Sequence, residues 1–177
     1  MGQQDKSAGL VPAGEEPKQY LTFTLGGEMY GVETLSVKEI IEYGQVTEVP
    51  MMPPSIRGVI NLRGAVVPVV DLKARFGGGA TQVTRRTCIV IIELEAGEEC
   101  QVIGIVVDAV SEVLEIPGTE IEPPPLFGAR IRTDFISGMG KVGGHFVILL
   151  DMGRVLSVDE LADLANLADS GAVPAAA

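Results

Sequence analysis

Apolar positions along the chain fall mostly into short runs that alternate or are rich in β-branched residues. Tyr20–Leu25 (YLTFTL) alternates, and GGEMYGV follows it with a Gly-Gly turn signal, which predicts a hairpin. Ile56–Ile60 and Ala65–Leu72 predict a second hairpin across Asn61-Leu62-Arg63-Gly64. Cys88–Leu94 and Cys100–Val107 flank Glu95-Ala96-Gly97-Glu98 and predict a third. Phe146–Met152 reads as a further strand, entered from Gly143-Gly144. Short strands at this density, punctuated by glycine turns, predict an all-β protein of closed or sandwiched sheets. Pro68 lies inside a strand run, which places it at an edge or a bulge.

Two segments depart from the period of two. Thr34–Glu42 (TLSVKEIIE) sets Val37, Ile40 and Ile41 at helical spacing and predicts a short helix or helical turn, with a strand reading of the same residues left open. Near the end, Ser157-Val158-Asp159-Glu160 forms a capping box, and Leu161, Leu164 and Leu167 follow as one apolar stripe. A C-terminal helix over 157–168, packed on the β structure, is expected. Residues 1–18 and 169–177 lack periodicity and read as flexible tails.

The chain also matches itself. At a shift of 80 residues Gly58 falls on Gly138, Gly64 on Gly144, Val67 on Val147 and Asp71 on Asp151. At a shift of 73, GVETLSVKEIIE (31–42) falls on GIVVDAVSEVLE (104–115), so Val37 meets Val110 and Glu39 meets Glu112. Proline connectors follow both copies. A duplicated β unit, and so two similar small barrels side by side, is the expected architecture. The repeat serves as an internal control, because residues that the fold requires tend to recur. The turn glycines recur, but Arg63 is replaced by Gly143. The unit closes this turn without arginine, which points to a specific role for Arg63.

Composition narrows the function. Hydrophobic residues make up 46%, as in a globular protein, and the formal charge of −11 disfavours nucleic acid and anionic membranes as partners. The N-terminal stretch lacks the apolar core of a secretory signal, and Lys6 stands where a myristoylation motif has Ser or Thr. Cys88 and Cys100, without C-x-x-C spacing, read as reduced, partly buried strand residues. His145, the sole histidine, sits beside two glycines at a strand start and reads as an exposed or capping residue. Gly77-Gly78-Gly79 lacks the Lys-Ser/Thr of a phosphate loop. Asp71 and Asp151 end equivalent strands and are expected to accept hydrogen bonds there. No catalytic group, metal ligand set or cofactor motif is expected.

The succession YLTFTLGGEMYGV, V-K-E-I-I, I-R-G-V-I-N-L-R-G-A-V-V-P-V-V-D-L and V-I-G-I-V-V-D-A-V-S-E-V-L resembles the CheW-type chemotaxis coupling proteins, over about residues 19–165. The resemblance implies two SH3-like five-stranded β-barrels within residues 19–168, the first mainly 30–80 and the second mainly 19–29 plus 85–155. It implies a non-catalytic cytoplasmic adaptor, monomeric in isolation, that joins chemoreceptor cytoplasmic tips to the regulatory domain of the histidine kinase CheA, with no membrane insertion. Carried over by motif, Val37, Glu39, Gly58 and Arg63 belong to a protein-binding surface. Val102–Val107, including Gly104 and Val106, with Val110 and Val113, line an apolar groove near the barrel seam. Glu39 and Arg63 are expected within salt-bridge reach. Alternatives are a related coupling protein of a non-flagellar array-like pathway, or a small-ligand-binding β-barrel.

Overall fold

The computed structural model describes residues 17–76, 78–96, 98–123 and 135–155. Eleven strands form among these: β1 (Lys18–Leu25), β2 (Glu28–Glu33), β3 (Val37–Glu42), β4 (Ile56–Leu62), β5 (Ala65–Asp71), β6 (Cys88–Ala96), β7 (Glu99–Val107), β8 (Ala109–Ile116), β9 (Ile121–Glu122), β10 (Ile136–Val142) and β11 (His145–Leu150). Two single helical turns, α1 (Leu72–Arg75) and α2 (Met152–Val155), follow β5 and β11. The predicted hairpins are present. The first strand begins at Lys18, inside the segment expected to be a tail. The capping box and the helix expected over 157–168 lie outside the described residues.

The helical reading of 34–42 gives way to strand. Only Thr34–Ser36 is helical, as a 3-10 turn, and Val37–Glu42 pairs with β6 through Ile40↔Val90 and Ile41↔Ile89. Pairing with a buried neighbour outweighs a spacing that nine residues satisfy equally well as a helix.

The strands make two sheets, β3-β6-β7-β5-β4 and β8-β1-β2-β11-β10-β9. Each curls round its own core. Ile41 and Ile60, from the two edge strands of the first sheet, meet in one cluster with Val67, Val69, Ile89, Ile91 and Val106. A flat sheet would hold its edges apart. In the second sheet Ile116 and Ile121, again from opposite edges, join Tyr20, Val147 and Leu149. A third and larger cluster fills the seam: Leu21, Phe23 and Leu25 of β1 pack with Val90 and Ile92 of β6 and Ile103, Ile105 and Val107 of β7. The unbroken apolar run of β6 follows from this, since Ile89 and Ile91 enter the first core while Val90 and Ile92 enter the seam.

Sheet membership corrects the expected barrel limits. β6 and β7 (residues 88–107) belong with β3, β4 and β5, and β2 belongs with β8 and β11. Each half of the chain thus lends strands to the other half's sheet. The duplication itself is reproduced in register. Val69 faces Gly104 in the parallel β5–β7 pair, and Leu149 faces Gly31 in the β11–β2 pair, the positions related by shifts of 80 and 73. The same bulge interrupts β4–β5 between Ile56 and Gly58 and β10–β11 between Ile136 and Gly138. β5 is an interior strand, between β7 and β4, so Pro68 does not lie on an edge strand as expected; the β5–β7 pairing starts at Val69, so its missing N–H interrupts no register on that side.

Asp71 caps α1 and does more. Its carboxylate, fully buried, accepts from Ala74 N at 3.2 Å, from Thr81 N and Oγ1 at 2.8 Å each, and from Arg57 Nε at 3.1 Å. Arg57 also donates to the Thr81 carbonyl and lies over the Tyr43 ring at 5.5 Å. Asp151 repeats the cap in a lighter form, accepting from Gly153 N at 3.1 Å. The expectation of hydrogen bonding at both strand exits is met.

Candidate functional site

The β4–β5 hairpin turns through two residues with positive φ, Arg63 at 54° and Gly64 at 88°. This is the backbone that a two-residue turn needs to match strand twist, and it favours glycine at both positions. Gly143 and Gly144 hold nearly the same angles, 56° and 84°, in the β10–β11 hairpin. Asn61 Oδ1 accepts from Gly64 N at 2.9 Å and fixes the turn. An arginine therefore occupies a left-handed position where its counterpart is glycine, so the residue present is the one the backbone favours less.

What the arginine gains is Glu39. Its Nη1 and Nη2 donate to Glu39 Oε2 and Oε1 at 2.5 and 2.9 Å, a bidentate pair as expected. Arg63 is 74% exposed and Glu39 25% in their side chains, so the fork stands at the surface with the carboxylate partly sheltered. Glu39 lies on β3 and Arg63 on the turn after β4, the two edges of the first sheet. The pair thus bridges the seam at which this barrel closes. In the second unit Glu112 recurs, but the arginine position is Gly143. There the Thr22 hydroxyl exchanges hydrogen bonds with the Glu112 backbone, at 2.7 Å to its O and 3.1 Å from its N.

The hydrogen bonds from Arg63, then its charge, hold the Glu39 carboxyl below its ordinary value, and Arg63 is raised in turn. A depressed carboxylate pKa means that the pair's contribution is complete above the unfolded-state value of 4.5 and is lost as pH falls through the lower folded value. Carboxyl-carbon NMR titration should find Glu39 below 4.5 in the wild type and back near 4.5 in Arg63→Gly. An unchanged midpoint would mean that the fork does not persist in solution.

The other expected site residues divide. Val37 and Val110, equivalent by the repeat, are half-buried and pack against the seam core. Val113 is 51% exposed on β8, an edge strand. Val102 packs against the first barrel's core. Val106 is fully buried there, and Ile103, Ile105 and Val107 are buried in the seam, so of the valines and isoleucines in 102–107 expected to line a groove only Val102 keeps exposed surface. β7 lies between β6 and β5 with both faces covered, and can support a groove only from beneath. Gly104 is buried, and a Cβ there would stand 2.6 Å from Ile89 Cγ2. Gly58, at φ 147°, underlies Thr47, whose carbonyl oxygen a Cβ would approach to 2.1 Å. At both positions a close approach leaves no room for a Cβ.

Sequence reasoning passed over Leu35 and Ile40, which are 91% and 41% exposed. The signal was present: in a strand, adjacent Ile40 and Ile41 must face opposite ways. Ile40 is the repeat equivalent of Val113, so both units expose an apolar residue on an edge strand.

Burial raises the Cys88 thiol, and partial desolvation together with the nearby Glu93 and Glu95 carboxylates raises that of Cys100. Cys100 is exposed rather than partly buried, while Cys88 is intermediate. Among the described residues no three His, Cys, Asp or Glu gather as metal ligands would, and no helix is long and apolar enough to cross a membrane.

The CheW-like domain model matches residues 19–160. The chemotaxis protein CheW of Klebsiella aerogenes is 42% identical over 153 residues, covering 86% of this chain and 90% of that protein. Its namesake in Treponema pallidum is 31% identical over 157 residues, with the same shares covered. Among solved structures, the scaffolding protein TtCheW from Thermoanaerobacter tengcongensis superposes with a TM-score of 0.72 at 35% identity, covering 85% of this chain and 93% of that one.

Proposed function

The chain belongs to the family of CheW-like domains, and from that premise we propose that it is a non-catalytic chemotaxis adaptor coupling chemoreceptors to the histidine kinase CheA. The observation that carries this is the family match across residues 19–160. The adaptor works on the cytoplasmic side and is held at receptor arrays through its partners. Receptor tips offer amphipathic helices, and each unit exposes apolar residues that suit helix-in-groove docking: Leu35 and Ile40 near half-buried Val37 in the first, Val113 near half-buried Val110 in the second. The Arg63–Glu39 fork supplies directional polar contact at the same first unit. Each interface is modest, about 1,000 Å², as signalling contacts that exchange tend to be.

Sedimentation of receptor-fragment assemblies tests the partners directly. This protein should pellet with receptor fragment and kinase, and Val113→Lys should reduce its retention about tenfold, the order expected for a central contact. Retention equal with and without receptor and kinase would refute the adaptor assignment.

A further inference from the structure

We propose that the cavity between α1 and the second sheet binds an amphipathic organic anion, an acyl-type tail carrying a single carboxylate. The cavity has a volume of about 400 Å³, within the range usual for small-molecule sites. One wall is aliphatic, with Leu25, Ile148 and Leu150. The other is a run of rings, Tyr30 against Phe76 at 5.9 Å and Phe76 against Phe135 at 6.0 Å. The adaptor contacts assigned above use none of these residues.

Among the described residues the charged groups at its edge are Lys73, Arg75 and Glu28, two cations and one anion in a chain whose formal charge is −11. Arg75 is engaged: its Nε donates to the Val155 carbonyl at 3.1 Å and its guanidinium lies 5.2 Å over the Phe135 ring. Lys73 differs from Lys18, Lys38 and Lys141, each of which faces a glutamate. The Lys73 carbonyl accepts from Gly78 N at 2.8 Å, but among the described residues its ammonium has no hydrogen-bond or ion-pair partner.

The internal repeat makes the arrangement informative. At the shift of 80, Lys73 and Arg75 correspond to Gly153 and Val155. Val155 is fully buried in the seam core. Where one unit fills its position with an apolar side chain, the other carries two cations beside an opening. An apolar tail against the rings, with its head at Lys73, satisfies both the walls and the charge.

The test uses the full chain, decanoate below its micellar concentration, and 1-decanol as the uncharged analogue. Methyl NMR should show saturable one-to-one binding of decanoate, with shifts centred on Leu25, Ile148 and Leu150. Lys73→Glu should weaken decanoate about tenfold, the scale of one charged contact, and leave decanol within about twofold. Lys73→Met, which keeps the aliphatic stem, should weaken decanoate in the same direction, with thermal melting confirming that both variants fold. Absence of saturable binding, decanol binding as tightly as decanoate, or indifference to both substitutions overturns the proposal. Vesicles of phosphatidylglycerol separate a free acid from a lipid: retention on them that Lys73→Glu abolishes overturns the assignment to a free acid.

Discussion

Asp71→Ala should lower the unfolding free energy by about 3–5 kcal/mol, the usual cost of breaking a buried charge pair from one side. Four donors converge on this carboxylate, and the removal strands them unequally. Ala74 N loses only a helix cap. Thr81 is buried, so its amide and hydroxyl lose partners where water does not easily replace them, at about 1–3 kcal/mol for each unsatisfied group. Arg57, 23% exposed, keeps the Thr81 carbonyl and the Tyr43 ring but loses its counter-ion. These costs overlap and do not add. Domain stabilities run to only about 5–15 kcal/mol, so this loss removes a large share of the total. Asp151→Ala, at a 43% exposed side chain, should lose about 1 kcal/mol, typical of a cap. Urea denaturation distinguishes the two, and equal losses would show that the Asp71 network does not act as the keystone described.

Arg63→Glu should reduce assembly with receptor and kinase by about tenfold or more, the scale of an arginine hot spot. The substitution sets two carboxylates against each other where the fork stood, and it leaves an acidic side chain in the left-handed turn. Arg63→Gly separates these effects. Gly143 already closes the equivalent turn at φ 56°, so the glycine variant should fold with unchanged cooperativity and still lose the contact. If Arg63→Gly assembles like wild type, the arginine serves barrel closure and not a partner. If it unfolds, the repeat is a poor guide to what the turn requires.

Much of this architecture was legible because the duplication constrains it twice. Gly64 and Gly144, or Asp71 and Asp151, mark the same turn and strand exit in both units, and the strand registers follow the two shifts. The exchange of strands was not legible. Whether β6 and β7 pair with β5 or with β1 depends on contacts between halves of the chain, and the local alternation is the same either way. The span 34–42 misled because apolar residues three and four apart satisfy a helix, which hid the outward face of Ile40. At the site, the Glu39–Arg63 pair was readable from charges in two motifs. The burial of Val106 was not, since β7 is apolar on both faces whether it lines a groove or supports one. Thr81, the residue that completes the Asp71 network, lies in a loop without pattern. Tyr30, Phe76 and Phe135 are likewise brought into one wall only by the fold.

Transmission of receptor state to a kinase is the role proposed for this chain. Its most direct test is autophosphorylation of CheA reconstituted with a receptor cytoplasmic fragment, with and without this protein. Adding wild-type protein should raise kinase activity in the presence of receptor and leave it unchanged in the absence of receptor. Kinase activity that is indifferent to the protein, with receptor present and all three components folded, would overturn the adaptor role.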